Sequence, residues 1–229
     1  MKAFIIILLI SIIILIAVIV FLWVSPLKSP PTGTCKNIIV NTGDKKINIV
    51  YLTDNVDEKE IKNFTDYFLN IKPFSSSKEK FNFYYAGKAN CTRIEDYVLC
   101  YSRTTIQQSS ICPNNYVIVL TDQPSEVRSS AYINLISLNI NSPYALLLHE
   151  FGHSFANLAD EYTPSNIPRG SQNCNKKCPI YGDIQTCFLG CSKENYYRST
   201  ENSVMRALDT EDFGELNNLL IQKNLDRYG

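Results

Sequence analysis

Apolar and polar positions divide this chain into a greasy amino-terminal stretch and a long mixed remainder. Residues 4–24 are apolar except Ser11, about the twenty residues that a bilayer-spanning helix requires. Further on, Lys46 to Thr53 alternates as a strand does. Glu58 to Ile71 places Ile61, Phe64, Phe68 and Ile71 on one stripe, which predicts an amphipathic helix ended by Pro73. Phe81 to Ala86 and Tyr116 to Thr121 read as strands, the second apolar enough to be buried on both faces. Ala131 to Ile140 reads as a further strand. Ser142 is a capping residue and Pro143 suits a first helical position, so a helix is predicted from Pro143 to about Ala156. Asn157, tolerant of the left-handed conformation, is the expected break. Asp160 to Thr200 is rich in Cys without periodicity and reads as an irregular wall. Thr210 to Leu225 predicts a closing helix that packs Phe213, Leu216 and Leu220. The predicted fold class is α/β.

Three regions follow: 1–24 as a transmembrane anchor, 25–34 as a Pro-rich linker, and 35–229 as one domain large enough for a real core. No small-x-small cleavage site precedes Ser25-Pro26, so the reading is an uncleaved anchor with Trp23 at the interface; a cleaved signal peptide is the alternative. Lys2 and Lys28 are the only charges in the first 34 residues, leaving 20 basic and 22 acidic residues beyond them. That balance, with no basic run, excludes nucleic acid as a partner. All eight Cys lie beyond the anchor, which in an exported domain implies disulfides. Cys91 and Cys100 bracket a short loop and are a plausible pair. Cys174, Cys178, Cys187 and Cys191 cluster; a structural zinc knot is the alternative there, though the spacing is not C-x2-C. Asn63 and Asn90 begin glycosylation sequons, in keeping with an extracytoplasmic domain.

Both histidines of the chain fall in His149-Glu150-Phe151-Gly152-His153, an H-E-x-x-H signature. Residues four apart on a helix lie about 40° apart around its axis, so both imidazoles face one way and could share one zinc ion. Glu150 would then take a proton from an activated water. Apolar flanks, Ala145 to Leu148 and Phe155-Ala156, point to a buried helix rather than a solvated one. A catalytic zinc takes three protein ligands, and with no third His the remaining ligand is a carboxylate, with Cys or Tyr as the alternative. Asp160 and Glu161 are the candidates, Asp160 favoured. An unbroken helix would carry Asp160 about 10 Å beyond His153, so the chain has to fold back after Asn157.

The segment from His149 to Tyr162, H-E-F-G-H-S-F-A-N-L-A-D-E-Y, resembles the active-site segment of the IgA peptidase-like zinc metallopeptidases. Tyr197 to Arg206 is similar to that family's later R-x-T-x-x-S-x-M-R segment, and Ser203-Val204-Met205 to the Met-turn of metzincins. Asn48 to Asp54, Pro73-Phe74 and Phe81 to Phe83 resemble its first strand, P-F turn and second strand. The resemblance implies an α+β zincin-like fold with a mixed twisted sheet, an edge strand lining the cleft, and zinc held by His149, His153 and Asp160. Two departures stand out. Asn157 occupies a position where the family often has Gly. No Tyr follows Met205 within two residues, so an astacin-like tyrosine has no counterpart there, and Tyr162 is a candidate for that role.

The expected function is a membrane-anchored zinc metalloendopeptidase acting on protein or peptide substrates, with Glu150 as general base. The rivals are a catalytically inactive zincin-fold binding or adhesion module and a non-peptidase zinc amidohydrolase. An intramembrane protease is excluded, because His149 lies far beyond the only apolar span in a segment too polar to cross a bilayer.

Overall fold

The computed structural model describes residues 12–16, 33–178 and 187–228. The chain divides into two units, Met1–Thr32 and Gly33–Gly229. In the first, residues 12–16 are helical and exposed; the rest of the expected anchor, and the linker as far as residue 32, lie outside the described residues. Among the described residues, no helix is long and apolar enough to cross a membrane.

The second unit runs β1 (Lys36–Ile39), β2 (Ile47–Asp54), α1 (Lys59–Asn70), a 3-10 segment (Phe74–Lys80), β3 (Phe81–Lys88), β4 (Thr92–Ile94), β5 (Tyr97–Leu99) and α2 (Arg103–Ser109). It continues with β6 (Tyr116–Thr121), β7 (Ser130–Tyr132), β8 (Leu135–Asn139), α3 (Ala145–Ala156), β9 (Phe188–Cys191), β10 (Lys193–Arg198) and α4 (Glu215–Leu225). Six strands form a mixed sheet in the order β1-β3-β2-β6-β8-β7. The four inner strands are parallel, and β1 and β7 pair antiparallel at the two edges. The expected α/β class with a mixed sheet is what the structure has.

Period-two alternation builds two cores on this sheet. From β2, Ile47, Ile49 and Tyr51 face one side, with Phe81 and Phe83 of β3, Ile118 and Leu120 of β6 and Ile136 and Leu138 of β8. Helices α1 and α3 cover that side through Phe64, Phe68, Leu147, Leu148 and Phe151. Phe68 stacks on Phe74 at 4.2 Å and meets Phe151 edge-on at 4.9 Å, so aromatic packing locks the two helices together. On the opposite side, Val50, Leu52, Val117, Val119 and Leu135 pack with Val98 of β5 and the Cys35–Cys112 and Cys91–Cys100 disulfides. Every residue of α3 from Leu147 to Gly152 is buried, because the helix is held between the sheet, α1 and α4.

Four expectations need correction. Ala131 to Ile140 is not one strand: Ile133 adopts φ 57° and folds it into the β7–β8 hairpin, leaving the short β7 on the edge. The stretch from Asp160 to Thr200 is not wholly irregular, since β9 and β10 pair within it. The last helix begins at Glu215 and not Thr210, because Gly214 at φ 76° interrupts the chain. The start of α3 also shifts: it begins at Ala145, and its cap residue is Tyr144, which makes no side-chain cap bond. Its end is at Ala156, with Asn157 in the left-handed conformation at φ 51°.

Candidate metal centre

The left-handed turn at Asn157 reverses the chain within one residue. Its N–H reaches back to the His153 carbonyl at 3.1 Å and that of Leu158 to Gly152 at 3.3 Å, closing the last turn as a left-handed cap does. The chain then returns along the helix rather than beyond it. As a result the Asp160 carboxylate lies beside both imidazoles: Oδ1 is 3.1 Å from His149 Nε2 and 3.2 Å from His153 Nε2. The two Nε2 atoms are 3.0 Å apart. These three side chains are the one group of potential ligands that converges in this way among the described residues.

The other ring nitrogens decide what those atoms are. His149 Nδ1 lies 2.9 Å from the Val204 carbonyl and His153 Nδ1 2.7 Å from that of Leu158. A carbonyl only accepts, so each Nδ1 carries the proton, and a neutral imidazole then has a bare lone pair at Nε2. Asp160 Oδ1 is buried without a hydrogen-bond partner. When both imidazoles are neutral, three lone pairs therefore point into one small volume. Their separations approach the roughly 3.3 Å edge of a tetrahedron with bonds of about 2.0 Å. The donor set, two imidazoles and a carboxylate, fits a divalent zinc-type ion.

Asp160 is held from several sides. Its Oδ2 accepts from Ser165 Oγ at 2.6 Å, and its main-chain carbonyl accepts from Ser192 Oγ at 2.6 Å. Burial opposes its charge, but the facing His149 and His153 imidazoles and the Ser165 hydroxyl hold its carboxyl well below the usual carboxylate range. For His153 burial likewise opposes the charged form, yet the Asp160 hydrogen bond and the Glu150 and Asp160 charges outweigh it and push the imidazole up. Glu150 is buried, which pushes its carboxyl up, although it senses the charges of both histidines.

Glu161 takes no part in this convergence. It is fully buried and turned the other way: Oε2 accepts from Ser203 Oγ, and Oε1 from Asn173 Nδ2 at 3.1 Å and Asn217 Nδ2 at 3.0 Å. Asn173 also pairs in both directions with the main chain of Ala159, at 2.8 and 2.9 Å. Ser165, Asn173, Ser192 and Asn217 are isolated Ser and Asn that carry no signal in the sequence, and Ser203 stands out there only within the segment that resembles a Met-turn. Only the neighbouring cysteines marked two of them. Asn173 precedes Cys174 and Ser192 follows Cys191, and these cysteines are bonded to one another.

The four clustered cysteines pair as Cys174–Cys191 and Cys178–Cys187, so the alternative of a zinc knot falls away. Cys91–Cys100 is bonded as expected. Met205 sits under the site in a turn over Val204–Arg206, fully buried. Tyr162 stacks its ring over His149, with centroids 6.5 Å apart at 14°; burial and the Asp160 charge push its hydroxyl up to about 12.

Two cavities flank the triad. One of about 410 Å³ opens beside His149 and Tyr162, and the other, of about 490 Å³, beside His153, Asp160 and the edge strand β7. The three candidate ligands thus border open space on two sides. Compared with known proteins, the chain matches no family model and no curated sequence.

Proposed function

We propose that this chain is a membrane-anchored zinc metallopeptidase, similar to the IgA peptidase-like group of metzincin-like enzymes, with its catalytic domain outside the cytoplasm. One observation carries the reading: His149 Nε2, His153 Nε2 and Asp160 Oδ1 meet within 3.2 Å of one another, on and beside the helix that carries Glu150. A zinc ion held there would supply a Lewis acid and an activated water at neutral pH. Glu150, whose carboxyl burial pushes up, would take a proton from that water and deliver it to the leaving amine. Tyr162, protonated across the physiological range, is available to donate to the developing oxyanion. The edge strand β7 offers unpaired main-chain groups to an extended peptide. Four disulfides favour an oxidising compartment, and the apolar run 4–24 supports the anchor.

The test uses the full chain. It is expected to bind about one zinc and to cleave peptides only when loaded. Glu150→Gln should retain zinc and lose activity by roughly 100- to 10,000-fold. Cleavage that survives this substitution would remove Glu150 from the mechanism. A chain that cannot be loaded with zinc would remove the centre itself.

A further inference from the structure

The cavity on the His149 side has an unusual charge pattern for a groove beside two carboxylates. Arg128 and Arg206 both line it, and no Asp or Glu does. The opening of α3 contributes a further share of positive potential, since Ser142, Pro143 and Leu146 form part of the wall and a helix amino terminus favours anions. The floor is apolar, with Leu146, Val204 and Leu208.

We propose that this cavity is a carboxylate subsite, where Arg128 and Arg206 hold an acidic group of the peptide beside the bond to be cleaved. The proposal rests on the peptidase reading and adds a substrate class to it. The acidic group is either an Asp or Glu side chain or a free carboxy terminus, and the apolar floor suits the methylene stem of Glu.

Arg128 is prepared for this task. Its main chain is pinned to the β4–β5 hairpin, N–H to the Asp96 carbonyl at 2.7 Å and carbonyl to the Val98 N–H at 2.9 Å. Its Nη2 meets Asp96 Oδ2 at 2.8 Å, which fixes the guanidinium while leaving most of its five donors unused. Asp96 does not line the cavity. Arg206 donates from Nη1 to the Glu201 carbonyl at 2.6 Å and makes no ion pair among the described residues, so its charge is not cancelled by a neighbouring acid. Two guanidinium groups recognise a carboxylate better than lysines would, because each offers a planar fork.

Two measurements on the full chain separate this proposal from the reading beneath it. In the first, the chain is labelled with 15N-arginine, chelated so that no metal attracts carboxylates, and titrated with three probes. N-acetylglutamate amide carries a side-chain carboxylate, N-acetylglutamine a terminal one, and N-acetylglutamine amide neither. The Nε–H signals of Arg128 and Arg206, assigned by Arg128→Gln and Arg206→Gln, should move with at least one charged probe and stay with the neutral one. Which charged probe moves them identifies the source of the carboxylate. Signals that ignore all three, or respond equally to all, overturn the subsite whether or not the chain is a peptidase. In the second, the zinc-loaded chain digests a peptide library with free and amidated ends. An acidic group should recur at one position beside the cut, its replacement by Gln should cost about tenfold in kcat/KM, and Arg206→Gln should abolish that ratio. Cleavage without such a preference overturns the subsite and leaves the peptidase standing. A loaded chain that moves its arginine signals but cleaves nothing overturns the peptidase and leaves the subsite.

Discussion

Glu161 and Ser203, 42 residues apart, share a 2.5 Å hydrogen bond in which the Ser203 hydroxyl donates to Oε2, and both side chains are completely buried. With Asn173 and Asn217 on its other oxygen, Glu161 joins the ligand loop, the stretch before Met205 and α4. Its neighbour Asp160 faces the opposite way, toward the imidazoles. The two acids should therefore fail differently. Glu161→Ala strands three buried donors at about 1–3 kcal/mol each, so the chelated protein should melt well below the wild type. Asp160→Ala should lose zinc while the chelated protein melts within a few degrees of wild type. Zinc content and melting of the two chelated variants check this; zinc loss confined to Glu161→Ala would reverse the assignment.

Gly152 leaves no room for a side chain. A Cβ there would stand 2.8 Å from Met205 Sδ, 3.1 Å from Phe213 and 3.3 Å from Leu158. Gly152→Ala gains about 1 kcal/mol of helix propensity, but overpacking costs about 1–3 kcal/mol, so the net effect is destabilising. Denaturant unfolding should give a lower midpoint, and adding Met205→Ala should recover part of the overpacking term. A higher midpoint for Gly152→Ala alone would mean that Met205 does not press on the helix.

Without a metal, a proton takes its place between the histidines and Asp160. The imidazole of His153 is pushed above its ordinary value, so its stabilising contribution is complete below about pH 6.5 and fades as pH rises through the folded value. The chelated chain should thus lose stability as pH rises above about 6.5. Loading displaces that proton, so zinc affinity should fall as pH is lowered through the same window, and binding at low pH should release protons in calorimetry. A zinc affinity that does not change between pH 5 and 8 would contradict this.

The Cys174–Cys191 bridge should matter to the metal more than its distance from the histidines suggests. It joins the residues beside Asn173 and Ser192, which hold the main chain around Asp160. Replacing both cysteines by Ser should weaken zinc binding by about 10- to 100-fold, as loss of supporting groups around ligands does. Replacing Cys91 and Cys100, on the far side of the sheet, should leave zinc affinity within about twofold. Equal effects from the two double variants would show that Cys174–Cys191 acts only through general stability.

What the sequence made legible was what periodicity and local chemistry encode. The stripe Ile61, Phe64, Phe68 and the alternation of β2 lie where they were expected, and Asn157 ends α3 because its short polar side chain tolerates a left-handed backbone. Hidden features depended on partners remote in the chain. Short strands such as β1 and β9 exist only through pairing, and three or four residues carry too little alternation to reveal them. The choice between Asp160 and Glu161 could not be read from spacing either. It depends on Ser203 and Asn217, whose approach to Glu161 is a property of the folded chain.

Both metal-facing imidazoles are oriented by main-chain oxygens, those of Val204 and Leu158. Every amino acid brings the same carbonyl. Variation at positions 158 and 204 is therefore free, as far as the tautomers are concerned, provided that the chain keeps its path. Drift in a lineage could replace both side chains and leave the proton on each Nδ1, whereas a one-residue insertion between Asn157 and Asp160 would abolish the centre without touching any ligand. The heritable constraint at these two positions is on length and course, so a search for invariant side chains would pass over them.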